Sequence, residues 1–64
     1  MILKNFLNLY DNWNGNLVIN DRNCNLYARV RFDRINNGNY NSILNAEVMA
    51  FGFYDNELCV RVNY

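Results

Sequence analysis

From Met49 to Val62 the chain reads MAFGFYDNELCVRV, with large apolar side chains at alternate positions and a polar pair, Asp55-Asn56, between two runs. Period-two alternation broken by two turn-forming residues is the pattern of an antiparallel hairpin. A turn at Asp55-Asn56 sets Tyr54 opposite Glu57, Phe53 opposite Leu58, Phe51 opposite Val60 and Met49 opposite Val62. Cross-strand partners share a face, so the large apolar residues gather on one side, which must be core. The other side carries Val48, Ala50, Gly52, Tyr54, Glu57, Cys59, Arg61 and Asn63.

A single hairpin is marginal in water and needs further layers. The stretches NLVIN and NLYARVRF supply a second one. With its turn at Arg22-Asn23, Ile19 faces Leu26 and Leu17 faces Ala28, while Val30 and Phe32 continue that face. Val18, Tyr27, Arg29 and Arg31 then stand opposite. A slip of two residues keeps the same facing, so the pattern fixes the faces more firmly than the register. Residues 2–11 carry Leu3, Phe6, Leu7 and Tyr10 at the i, i+3, i+4, i+7 spacing of an amphipathic helix, with Ile2 and Leu9 widening the stripe. DNWNGN follows, where Gly15 and three asparagines suit a C-terminal cap and Trp13 is placed to cover one end of the core. In DRINNGNYNSIL the pair Asn37-Gly38 is a turn signal. NYNSIL then either makes a helical turn that tucks Ile43 and Leu44 inward or extends the strands. The lack of alternation through residues 39–45 favours the helical turn.

The expected architecture is one α+β domain over residues 1–64. An N-terminal helix packs on a four-stranded antiparallel sheet made of two β-hairpins, with a short helical turn between them. A 64-residue chain buries only about 60% of its unfolded surface, so its core must be dense. Half of the residues are apolar or aromatic, which allows this. The expected core is Leu3, Phe6, Leu7, Leu17, Ile19, Leu26, Val30, Phe32, Met49, Phe51, Phe53, Leu58, Val60 and Val62. Fifteen asparagines, several of them at turns, match both the left-handed geometry that turns require and an AT-rich coding sequence.

Zero net charge, from six basic and six acidic residues, argues against a polybasic nucleic-acid binder and against an acidic nucleic-acid mimic. MILKNFLNLYDNW is too short and too polar for a secretory signal or a membrane span, which places the protein in the cytoplasm. Cys24, beside a turn, and Cys59, in mid-strand, read as two reduced thiols of a cytosolic protein. There is no histidine, which removes the usual Ser-His and Cys-His constellations and most zinc sites. Gly15, Gly38 and Gly52 are isolated and make no phosphate loop. The carboxylates Asp11, Asp21, Asp33, Asp55, Glu47 and Glu57 sit at turns or in strands, where capping and solubility account for them. A nucleophilic Cys59 needs a base or a positive charge beside it, and only Arg61, two positions on, offers one. The chain is read as non-enzymatic, with no cofactor and no metal.

What remains is the outer sheet face, with Tyr27, Arg29, Arg31, Tyr54 and Arg61 around the small residues Ala50, Gly52 and Cys59. One reading is a solvated face on which the arginines pair with Glu57 and Glu47. The other is a contact face, because Tyr and Arg are enriched at binding hot spots and small residues leave a shallow groove. It would receive a protein partner or a second copy of the chain. Arginine and aromatic residues on an open sheet also suit single-stranded nucleic acid, but no accompanying RNP-type motif is present and Lys4 is the only lysine.

The layout of MILKNFLNLYDNW, NLVINDRNCNLYARV and SILNAEVMAFGFYDNELCVRV resembles small proteins encoded by phages and mobile elements of low-GC Gram-positive bacteria. Those begin with an M-x-L-K-x-[FL]-L helix, continue with a hairpin and end in V-x-[AS]-[FIY]-x-[FVY]-x-[DE]-[DN]-x-L-x-[IV]-x-[IV]. The resemblance covers most of the chain, and its positions are structural ones. The chain departs from it in its asparagine load and in DRINNGNYN, where such proteins show an acidic, leucine-rich short helix. Some proteins of this kind inhibit host defence systems, CRISPR nucleases among them. The resemblance therefore implies a non-catalytic module that blocks a bacterial defence effector sterically, in the host cytoplasm. The alternatives are a small single-stranded nucleic-acid binder and a structural homodimerising subunit.

Overall fold

The computed structural model describes residues 1–10, 13–36 and 38–64. Helix α1 (Leu3–Leu7) runs straight into a 3-10 turn, Asn8–Tyr10. Strands β1 (Asn16–Asn20) and β2 (Leu26–Arg31) follow, then a second 3-10 turn, Phe32–Arg34. Helix α2 (Asn41–Leu44), β3 (Glu47–Tyr54) and β4 (Glu57–Asn63) complete the chain. This is the expected α+β arrangement, including the short helix between the hairpins. Asp11, Asn12 and Asn37, which belong to the expected helix, its cap and the Asn37-Gly38 turn, lie outside the described residues.

The strand order is β2-β1-β4-β3, and β1 and β4 pair in parallel, Leu17 beside Leu58 and Ile19 beside Val60. The sheet is therefore mixed, not wholly antiparallel as expected. The cause is the route between the hairpins. β2 and β3 are the two edges, so residues 32–46 must cross from one side of the sheet to the other. They cross over the core face, where Ile35, Ile43, Leu44 and Ala46 join Leu3, Phe6 and Leu7 of the first helix in one buried cluster. Beneath them lie Leu17, Ile19, Leu58, Val60 and Val62, all from the two central strands.

Position in the sheet separates the true core from the expected one. Phe51 and Phe53 point to the core side, opposite Val60 and Leu58 as expected, but they stand on an edge strand. They remain 56% and 49% exposed. A helix of only five residues covers the centre and not the rim. After Leu7 the winding tightens towards three residues per turn, so Leu9 leaves the buried stripe it was expected to widen and points outward.

Both hairpins form, one of them at the expected register. Asp55 and Asn56 have φ of 49° and 63°, the pair of left-handed residues that a type I′ turn requires. From Tyr54–Glu57 to Phe51–Val60 the pairing is as the alternation indicates. Beyond it a bulge intervenes, so Val48 rather than Met49 meets Val62. Met49 is left half-exposed.

The first hairpin departs from expectation twice. Its loop holds three residues, Arg22, Asn23 and Cys24, with Cys24 left-handed at φ 65°. The Asp21 N–H donates to the Asn25 carbonyl at 2.9 Å and the Cys24 N–H to the Asp21 carbonyl at 3.0 Å. The Asp21 carboxylate accepts from the Asn23 and Asn25 amides. A bulge at Tyr27 adds one more residue, giving Ile19–Ala28 and Leu17–Val30. One extra loop residue plus one bulge residue make a shift of two, so the faces of residues 28–31 survive while the register does not. Leu26, which lies between the two irregularities, now pairs with Asn20 on the outer side and is 63% exposed.

Trp13 closes one end of the core, edge-on to Phe32 at 5.4 Å and to Phe53 at 5.6 Å. Its ring lies against Gly15, where a Cβ would overlap the indole and sit 2.6 Å from the Asn56 carbonyl oxygen. Gly15→Ala is expected to expel Trp13 and to cost about 1–3 kcal/mol in urea unfolding, the usual range for overpacking. Cys24→Gly removes the left-handed penalty and is expected to raise stability by about 1 kcal/mol in the same assay. A loss of stability there would show that the Cys24 side chain contributes more than its backbone costs.

Candidate protein-binding surface

Alternation along the four strands assigns the outer face. It presents Arg29 and Arg31 from β2, Val18 and Asn20 from β1, Glu57, Cys59 and Arg61 from β4, and Ala50, Gly52 and Tyr54 from β3. The charges here are largely matched. Arg29 reaches across β1 to form an ion pair with the Glu57 carboxylate. Arg31 meets Asp33 at 3.2 Å. Both arginine side chains are mostly exposed, so these pairs orient the groups and add little stability.

Arg61 differs from them. Its Nη1 donates to the Cys24 sulfur at 3.2 Å, while its Nε is buried and has no hydrogen-bond partner among the described residues. It borders a shallow groove that Asn20, Cys24, Ala50, Gly52, Cys59 and Tyr54 also line. The Tyr54 ring folds back over Gly52, so that a Cβ on Gly52 would lie 3.0 Å from it. A larger residue at position 52 would push the ring away. The small residues thus do what the sequence indicates and floor a depression between a tyrosine and an arginine.

The five residues expected to form the contact face are not brought together as one cluster. Tyr54 and Arg61 share the groove, and Arg29 lies beyond β1, tied to Glu57. Tyr27 and Arg31 belong to β2, the opposite edge from Tyr54 and about 14 Å away at ordinary strand spacing. Tyr27 is the bulged residue, and its ring packs edge-on against Tyr64 at 5.3 Å. The Tyr64 hydroxyl in turn lies 2.9 Å from that of Ser42 in the second helix.

A second surface escapes the sequence pattern. Met1, Leu9, Met49, Phe51 and Phe53 are each about half exposed or more, and line the rim where the first helix meets β3. Aromatic contacts tie the rim to the core, Phe51 to Phe6 at 4.8 Å and Phe53 to Tyr10 at 5.7 Å. Alternation reads identically in an edge strand and a central one, so only the strand order reveals this patch.

Burial pushes the Cys59 thiol up from its ordinary value, the Glu57 carboxylate adds to the rise, and Arg29 opposes it. A nucleophilic thiol needs the opposite shift. No cluster of three or more metal-ligating side chains occurs among the described residues. No helix among them is long and apolar enough to cross a membrane. No family model, curated protein or solved structure matches the chain. Alkylation at mildly alkaline pH is expected to modify exposed Cys24 well before Cys59, read by peptide mass spectrometry. Equal rates would contradict the shielding of Cys59.

Proposed function

We propose that this chain is a non-catalytic protein-binding module that acts by occupying a partner's surface through the outer face of its sheet. The observation that carries the reading is the groove between Tyr54 and Arg61, whose guanidinium has no carboxylate partner among the described residues. A carboxylate from a partner's loop, laid into the groove, would pair with the accessible part of that half-buried guanidinium. Tyr and Arg flanking small residues are also the composition of a hot spot.

Nucleic acid is the weaker ligand. Arg29 and Arg31 are already neutralised by Glu57 and Asp33, which leaves little charge to release counterions from phosphates. The resemblance to small phage and mobile-element proteins makes a bacterial defence effector, CRISPR nucleases included, the first class of target to test. Such a partner would be met in the host cytoplasm.

The test is affinity capture from nuclease-treated host lysate, comparing the wild-type chain with Tyr54→Ala and Arg61→Lys. The expected result is one stoichiometric protein held by the wild type and bound about thirtyfold more weakly by each folded variant, the ~2 kcal/mol of a hot-spot residue. Undiminished capture by both folded variants would overturn the groove as the contact. Capture that vanishes with nuclease would transfer the face to nucleic acid.

A further inference from the structure

The two edges of the sheet are built differently. β2 (LYARVR) carries two arginines and the Tyr27 bulge, the charged and irregular features by which edge strands resist pairing. On β3 the end near the bulge is covered, because the Leu3 N–H donates to the Ala46 carbonyl at 2.8 Å and the Val48 N–H to the Met1 carbonyl at 2.9 Å. Residues 1–3 thus fill the lane beside the start of β3. Beyond them lies Ala50-Phe51-Gly52-Phe53-Tyr54, with no charge and no proline.

We infer that this five-residue edge pairs with the same edge of a second copy, antiparallel about a two-fold axis at Gly52. The edge shares Ala50, Gly52 and Tyr54 with the outer-face groove, but the pairing runs through their outward backbone row and does not depend on what the groove binds. The hydrogen-bond phase is right for it. A two-residue hairpin closes on a pair that exchanges both backbone bonds, here Tyr54 and Glu57. Phe53 and Phe51 therefore turn their N–H and C=O groups away from β4, towards the open lane. Centred on Gly52, Phe51 of each copy meets Phe53 of the other, and every outward group between Phe51 and Phe53 finds a partner.

Side-chain sizes agree with the same register. On the core side the pairing joins four phenylalanine rings that are half exposed in the single chain. On the outer side each Tyr54 stands beside an Ala50, and Gly52 beside Gly52, so bulk meets space. The lane lengths agree as well. The Asp55-Asn56 turn of the second copy falls opposite Met49 and Val48, where residues 1–3 begin to fill the lane. A rim of this kind buries on the order of 200 Å² of phenylalanine surface per copy, which suits a dimer that dissociates on dilution. Because the contact is isologous it closes at two copies.

The test is light scattering from low micromolar to near-millimolar concentration on the wild type, Gly52→Lys and Gly52→Glu. Gly52 has no left-handed backbone requirement, and the atoms nearest a side chain there are the far end of the Tyr54 ring. In the paired register the two residues at position 52 lie about 4.5 Å apart at their Cα atoms. Like charges there should weaken each single variant about tenfold or more. The wild type is expected to dimerise with concentration, and each variant, shown folded by circular dichroism, to remain monomeric where the wild type is dimeric. Mixing the lysine and glutamate variants should restore a dimer holding one of each, read by native mass spectrometry. A wild type that stays monomeric throughout, oligomers larger than two, a Gly52→Lys chain that dimerises normally, or a mixture that stays monomeric would each overturn the pairing.

Discussion

The parallel contact between β1 and β4 is the constraint on which the rest of the structure depends. It places the apolar faces of these strands at the centre of the sheet, where both neighbours shield them. It also forces residues 32–46 across the core face, and this turns a polar, asparagine-rich connection into a source of core side chains. Ile35, only 1% exposed, has no periodic partners in sequence and is buried because the chain must pass over the sheet there. A small domain has little interior to spare, so a crossover that supplies Ile35, Ile43, Leu44 and Ala46 is as much a part of the core as the first helix.

Much of this was legible in the sequence, and the limits follow from the physics of period two. Alternation specifies which face a side chain takes, and it did so correctly for Leu17, Ile19, Phe51, Phe53, Leu58 and Val60. It carries no information about which strand becomes an edge, since hairpins of either order show the same pattern. Alternation therefore gives Phe51 and Phe53 the right face and the wrong depth. Leu26 illustrates the complementary limit. A loop one residue longer and a bulge one residue wide cancel for the faces downstream, but not for the residue between them. The turn at Asp55-Asn56 was readable because two residues that tolerate positive φ stood adjacent, whereas Cys24 gave no such signal for its left-handed position.

The candidate site was legible in composition and not in arrangement. Tyr54, Arg29, Arg31, Arg61 and the small residues do alternate onto one face, whereas the bulge takes Tyr27 off it and against Tyr64; that face spans four strands, and charge pairing divides it. Glu57 and Asp33 engage the two arginines of β2, which leaves Arg61 as the arginine with an unused buried donor among the described residues. The carboxylates that make the chain neutral overall are thus the groups that restrict the outer face to one groove. This also links Cys59 to the same network, because the Glu57 carboxylate that holds Arg29 helps to keep the thiol protonated.

The contrast between the edges connects architecture to assembly. Any open sheet must deal with two rows of unpaired backbone groups, and here the arginines of β2 serve both as outer-face cations and as guards of their edge. The open stretch of β3, Ala50 to Tyr54, has no such residues, because its alternate positions are phenylalanines that face the core side and small residues that floor the groove. The features that open the groove, Ala50 and Gly52, are the same ones that leave the edge unguarded and leave space for Tyr54 of a second copy. Joining two chains there would extend one four-stranded sheet into eight and set two Tyr54–Arg61 grooves on a common face about the axis. A partner with a repeated or two-fold surface would then engage both grooves at once, and the second contact would form at the high effective concentration that linkage provides.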